Sequence, residues 1–118
     1  EDAQDIGLTE LTTVIGNGNE VGGTWLPHIS SEAREALESA DLIIAKGQGN
    51  YETLHDCGLN IYYLFLCKCK WFQYQFNAKP LQGMFINEAV FDSLTKLPGL
   101  FVNLSRNLRN LCMVLLFI

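Results

Sequence analysis

The chain is poor in the residues that most often announce a chemistry. Only two histidines and three prolines occur among its 118 residues, and neither His28 nor His55 has a partner motif, so both read as structural or surface residues. No Cys-x-x-Cys pair exists. Cys67-x-Cys69 has the wrong spacing for a structural zinc site and no second pair follows it. There is no Gly-Lys-Ser or Gly-Lys-Thr and hence no Walker loop. Gly47-x-Gly49 lacks the third glycine of a dinucleotide fingerprint, since Glu52 stands there, and Gly16-x-Gly18 meets Val21 at the same offset. The apolar stretch at residues 111–118 is far too short to span a bilayer. Basic residues are also scarce, eight against thirteen acids for a net charge of −5 and an isoelectric point near 4.8. Such a chain is a poor electrostatic partner for nucleic acid.

What is present fits a single α/β domain. Apolar residues make up 48% and aromatics 11%, enough to bury a core. Charge is uneven: residues 1–59 hold eleven acids and two bases, whereas residues 60–118 hold two acids and six bases, which allows a local anion site on an acidic body. The N-terminal residues Glu1-Asp2-Ala3-Gln4-Asp5 show no basic-to-apolar pattern of a signal peptide. Cys57, Cys67, Cys69 and Cys112 are expected to be reduced thiols in a cytoplasmic protein. A chain that begins at Glu1 without methionine is expected to be a piece of a longer product.

Leu11-Thr12-Thr13-Val14-Ile15 predicts a strand that runs into the glycine-rich residues 16–23. Ser30 and Ser31 are N-cap candidates for a helix over 31–40, with Glu32 and Glu35 in its first turn and Ala33, Ala36, Leu37 and Ala40 on one face. Leu42-Ile43-Ile44-Ala45 predicts a buried strand, residues 50–56 a short helix, and residues 61–67 a strand buried on both faces. The alternation predicts a parallel sheet with helices packed on it. Gly83-Met84-Phe85-Ile86 is a further strand candidate. Residues 89–118 fall outside the recognisable core and carry two competing expectations: a dispensable tail, or a segment covering a bare strand edge.

Ligands of open parallel sheets bind beyond the carboxyl ends of the strands. Lys46 closes one predicted strand and Lys68 the other, and Lys46 runs into Gly47-Gln48-Gly49-Asn50, where free N–H groups face a bound anion. Either lysine alone reads as a solvated loop residue. Their coincidence with the glycine-rich turn describes a cradle for a phosphate or carboxylate.

The run Ala40-Asp41-Leu42-Ile43-Ile44-Ala45-Lys46-Gly47-Gln48-Gly49-Asn50-Tyr51-Glu52-Thr53-Leu54 resembles the signature of the damage-control phosphatase family. Glu1-Asp2-Ala3, Gly7-Leu8, the loop at residues 16–24 and Tyr63-Leu64-Phe65-Leu66-Cys67-Lys68-Cys69 resemble the same family in the same order. The resemblance covers about residues 1–88 and implies the C-terminal part of a Rossmann-like three-layer α/β domain. It further implies a metal-dependent phosphatase acting on phosphate monoesters of sugar phosphates or related metabolites, with manganese, magnesium, cobalt or nickel as the divalent cation. The Lys-Gly-x-x-Asn stretch, here Lys46, Gly47, Gln48, Gly49 and Asn50, would cradle the substrate phosphate together with Lys68. The family's metal ligands, an Asp-Asn pair and an Asn-Asp-x-Thr motif, find no counterpart in this chain, so no metal role is carried onto Asp2 and no cation is expected to be held by this chain alone. The expected partner is a small phosphorylated metabolite, not nucleic acid or membrane. The alternatives are a non-catalytic phosphometabolite-binding module and a degenerate fragment. Elemental analysis of protein purified without added metal is expected to find no stoichiometric zinc on Cys67 and Cys69.

Overall fold

A computed structural model describes residues 2–87 and 113–116. The elements in chain order are α1 (Asp2–Asp5), α2 (Leu8–Leu11), a 3-10 turn at Leu26–His28, α3 (Ser31–Ser39), β1 (Leu42–Lys46), α4 (Gln48–Leu54), β2 (Ile61–Leu66), α5 (Lys70–Gln75), β3 (Gly83–Asn87) and β4 (Met113–Leu116). The strands form one sheet in the order β3-β2-β1-β4. The β1-α4-β2 unit is the expected parallel crossover, with Ile43 paired to Ile61 and Lys46 to Leu64. β4 also lies parallel to β1, so part of the C-terminal segment covers that edge. The rest of that segment, residues 88–112, 117 and 118, is outside the described residues.

Three expectations need correction. β3 forms where expected but runs antiparallel to β2, pairing Leu64 with Phe85, so the sheet is mixed. The connection from β2 to β3, made of α5 and the turn after it, brings the chain back alongside β2 in the opposite direction. Residues 12–15 are not a strand: Leu11 ends α2 and the following residues pair with nothing in the sheet. β-branched residues favour a strand only where a ladder and a half-buried surface receive them, and residues 11–14 are exposed to solvent. Finally, β2 is buried on one face only. Ile61, Tyr63 and Phe65 are buried, whereas Leu64 and Leu66 are nearly half exposed.

The inward face carries the core. Ile43 and Ala45 of β1 and Ile61, Tyr63 and Phe65 of β2 pack with Ala33 and Leu37 of α3, Tyr51 and Leu54 of α4 and Phe72 of α5. α3 begins as the sequence predicts: the Ser30 hydroxyl accepts from the Ala33 N–H at 3.1 Å, and Ala33 and Leu37, one turn apart, are its buried pair. α4 has only seven residues and is too short to be stable alone. Tyr51 holds it in place, with ring centroids 5.0–5.5 Å from Tyr63, Phe65, Phe72 and Phe76. At the far end of the sheet, Asn87 Nδ2 donates to the Ile61 carbonyl at 3.1 Å and Asn60 Nδ2 to the Asp41 carbonyl at 3.0 Å, which ties the amino ends of β1 and β2 to the end of β3.

Leu54 is fully buried at the base of α4. Leu54→Ala is expected to cost about 2–5 kcal/mol, read as a lower urea midpoint with an unchanged slope.

Candidate functional site

The carboxyl ends of β1 and β2 lie side by side, and each passes into a segment bearing a lysine. Lys46 is the last residue of β1 and is exposed. After it the chain turns at Gly47, whose φ of 99° and ψ of 147° are closed to residues with a Cβ. The Gly47 N–H donates to the Leu64 carbonyl at 2.9 Å, extending the parallel ladder one step beyond β1. That donor is therefore committed to the sheet. The N–H groups at Gln48 and Gly49, in the first turn of α4, have no intrahelical acceptor.

Gln48 joins the two strand ends. Its Oε1 accepts from the Lys68 N–H at 3.2 Å, while its Nε2 donates to Glu52 Oε1 at 2.9 Å and contacts Cys69 Sγ at 3.7 Å. The Lys68 segment is fixed from the other side as well. Cys67, just before it, receives the Leu81 N–H on its carbonyl at 2.9 Å and donates its own N–H to the Gln82 carbonyl at 3.0 Å. Lys46, Gly47, Gln48, Gly49 and Lys68 are thus gathered at one end of the sheet.

Asn50 occupies a different environment. Its side chain is wholly buried, Nδ2 donates to the Lys46 carbonyl at 2.9 Å and Oδ1 accepts from the Thr24 hydroxyl at 2.9 Å. The Asn50 amide therefore braces the turn from below and does not present itself to an anion. Thr24 belongs to a contact that the sequence reading missed. Its N–H donates to Thr53 Oγ1 at 3.0 Å, and that hydroxyl donates to the Gly49 carbonyl at 2.9 Å. Gly23, at φ +91°, lies so close to α4 that a Cβ there would sit 2.6 Å from the Gly49 oxygen and 2.7 Å from Thr53 Oγ1. The sequence signal was the Gly22-Gly23-Thr24 run, which marked a turn without showing what it docks on.

Burial, with neighbouring Cys69 adding to it, pushes the Cys67 thiol up, so it stays protonated near neutral pH and is a poor nucleophile. Cys57, Cys67 and Cys69 are free thiols, and Cys112 lies outside the described residues. His55 stacks on Tyr51 at 5.5 Å and is exposed, as is His28. The described residues do not fit a divalent cation: no group of three His, Cys, Asp or Glu side chains among them comes together. Glu52, the nearby acid, accepts from Gln48. A hard cation requires several oxygen donors in one place. No helix among the described residues is long and apolar enough to cross a membrane.

Residues 1–80 match the profile of the damage-control phosphatase ARMT1-like domain. The chain belongs to that family. It is 44% identical over 70 residues to a damage-control phosphatase of Pyrococcus horikoshii, a match covering 58% of this chain and 24% of the relative. An uncharacterized protein of Methanocaldococcus jannaschii is 43% identical over 74 residues, covering 59% of this chain and 24% of that one. In three dimensions the chain is similar to the crystal structure of a DUF89 family protein from Pyrococcus horikoshii, with a TM-score of 0.68 and 34% identity over 74% of this chain and 31% of the other. This member of the damage-control phosphatase family therefore spans about a quarter of the length of the curated relatives it matches.

The close approach at Gly23 gives a paired test. Gly23→Ala adds a Cβ at positive φ against a backbone oxygen and is expected to cost about 2–3 kcal/mol. Gly22→Ala, whose Cβ meets nothing within 4 Å, is expected to change stability by less than about 0.5 kcal/mol. Urea denaturation of the two variants checks both.

Proposed function

We propose that this chain carries the phosphate-binding part of a damage-control-type phosphatase that hydrolyses phosphate monoesters of small metabolites, sugar phosphates among them. The observation that carries the reading is the Gln48 bridge, which holds the Lys46 and Lys68 strand ends together at the carboxyl edge of parallel strands. Lys46 and Lys68 supply two positive charges, and the N–H groups at Gln48 and Gly49, which have no intrahelical acceptor, supply donors. A phosphate monoester carries up to two negative charges and several acceptor oxygens, which matches this set. Asn50 acts behind the cradle by fixing the Lys46 carbonyl.

Phosphoryl transfer rests on positioning and on neutralising charge at the transferred group. The cradle residues orient the phosphate and offset its charge; they do not include a base placed to activate water. A second reading follows from the donor set: among the described residues nothing gathers three metal-binding side chains, which favours phosphometabolite binding without turnover by this chain alone. A divalent cation, in this reading, is held by groups beyond those described.

Titration with inorganic phosphate, followed by amide NMR, is expected to shift residues 46–51 and 68 saturably, and Lys46→Ala is expected to remove the shifts. Unperturbed amides at 46–51 would sink the phosphate reading. Hydrolysis of an aryl phosphate and a sugar-phosphate panel with Mn²⁺, Mg²⁺, Co²⁺ or Ni²⁺ separates the two readings. Metal-dependent turnover that disappears in Lys46→Ala makes the chain an enzyme in its own right, and its absence leaves it a binding part.

A further inference from the structure

The loop at residues 17–24 touches the cradle only from behind, yet its contacts are built with more care than a spacer requires. Thr24 is 4% exposed and Asn50 is not exposed at all. Both atoms of the Asn50 carboxamide are engaged: Oδ1 by the Thr24 hydroxyl, Nδ2 by the Lys46 carbonyl. The loop reaches this position because Gly23 permits a backbone approach that no side chain would allow. It is held there by the Thr24 N–H on Thr53, and Asn17 Nδ2 donates to the Gly23 carbonyl at 3.4 Å. A relay of two hydrogen bonds thus runs from Thr24 through Asn50 to the peptide that joins Lys46 to Gly47. The opposite end of that peptide, the Gly47 N–H, is bonded to Leu64. Its plane is bonded at both ends, by Leu64 of β2 on one side and by the Asn50 amide on the other, and that amide is met in turn by the Thr24 hydroxyl from twenty-six positions earlier in the chain.

We propose that Thr24 is a positioning residue for the anion site: its hydroxyl, through the buried Asn50 amide, fixes the Lys46–Gly47 peptide and with it the direction in which the Lys46 side chain leaves β1. This rests on the reading of Lys46, residues 47–49 and Lys68 as a phosphate cradle. Thr24 itself meets no phosphate. Its influence is exerted on the backbone that carries the charged group, because an unsatisfied Asn50 acceptor in a buried place is released only by moving that backbone or admitting water.

Thr24→Val keeps the branched shape and removes the donor; Thr24→Ser keeps the donor and removes a methyl. Both variants of the 118-residue chain are compared with the parent at a temperature where each is folded. Two readouts are taken: phosphate affinity from amide shifts, and hydrogen exchange at the Gly47 N–H. Thr24→Val is expected to bind phosphate about tenfold more weakly and to exchange the Gly47 proton faster, with Thr24→Ser close to the parent in both. A Thr24→Val protein that matches the parent in both overturns the proposal, while loss of binding in Lys46→Ala leaves the phosphate reading intact. If the parent binds no phosphate, that reading fails by itself. Gly47 exchange then decides Thr24 alone: acceleration in Val but not Ser supports the clamp, and equal rates overturn it. Should Thr24→Val not fold, Thr24→Ala is read by the same two measurements.

Discussion

A carboxamide with no contact with water joins the end of one strand to a loop far earlier in the chain. Burying a primary amide is costly unless its donors and acceptor are met. Asn50 meets that demand with Lys46 on one side and Thr24 on the other. The demand can be met in very few arrangements of the backbone. Gly47 has to adopt its positive φ, α4 has to start where it does, and the loop at residues 17–24 has to come within van der Waals distance of α4, which is why Gly23 carries no side chain. The cradle's shape is thus set by a group that lies beneath it.

The polar anchor works because an apolar one sits next to it in sequence. Asn50, Tyr51 and Leu54 are the buried residues of α4. Tyr51 points into a ring cluster shared with β2 and α5, and Leu54 closes the base of the helix. A helix of two turns has little stability of its own, so its position is decided by these contacts. Hydrophobic packing sets the distance of α4 from the sheet, and the amide sets its rotation about that contact. Neither alone would hold the first turn of α4 against the Lys68 segment closely enough for Gln48 to bridge them.

The parts legible in the sequence were those whose determinants are local. α3 was visible from Ser30 and from the spacing of Ala33 and Leu37. β1 and β2 showed as apolar runs closed by Lys46 and Cys67-Lys68, and the crossover between them followed from the alternation of strand and helix. The family signature at residues 40–54 pointed to the same end of the sheet. What was not legible depends on partners distant in the chain. Residues 12–15 have the composition of a strand, but strand formation is decided by whether a ladder and a half-buried surface receive the segment. The direction of β3 depends on how α5 and the following turn fold back. Asn50 belongs to the matched motif, and its polar side chain invited a ligand role. Only its burial between Lys46 and Thr24 separates a group that touches an anion from one that shapes the place where it would bind. Thr24 and Thr53 stood within recognisable stretches, but nothing local showed that they meet, since a hydroxyl's partner 26 or 29 residues away leaves no local pattern.

The one-sided burial of the sheet has an electrostatic corollary. Strand alternation sets Ala45 inward and Lys46 outward, in register with Leu64. The ammonium group therefore leaves the strand on the same side as Ile44, Tyr62, Leu64, Leu66 and Phe85, with Tyr62 and Phe85 stacked at 5.5 Å. Protein laid over those side chains would displace water from around Lys46 and lower the permittivity through which it acts on an anion. The attraction between two unit charges at 4 Å rises from about 1 kcal/mol in water to about 4 kcal/mol at a permittivity near 20, although desolvating the ammonium offsets part of that gain. Covering a greasy surface and sharpening the pull of a lysine are, in this architecture, one and the same event.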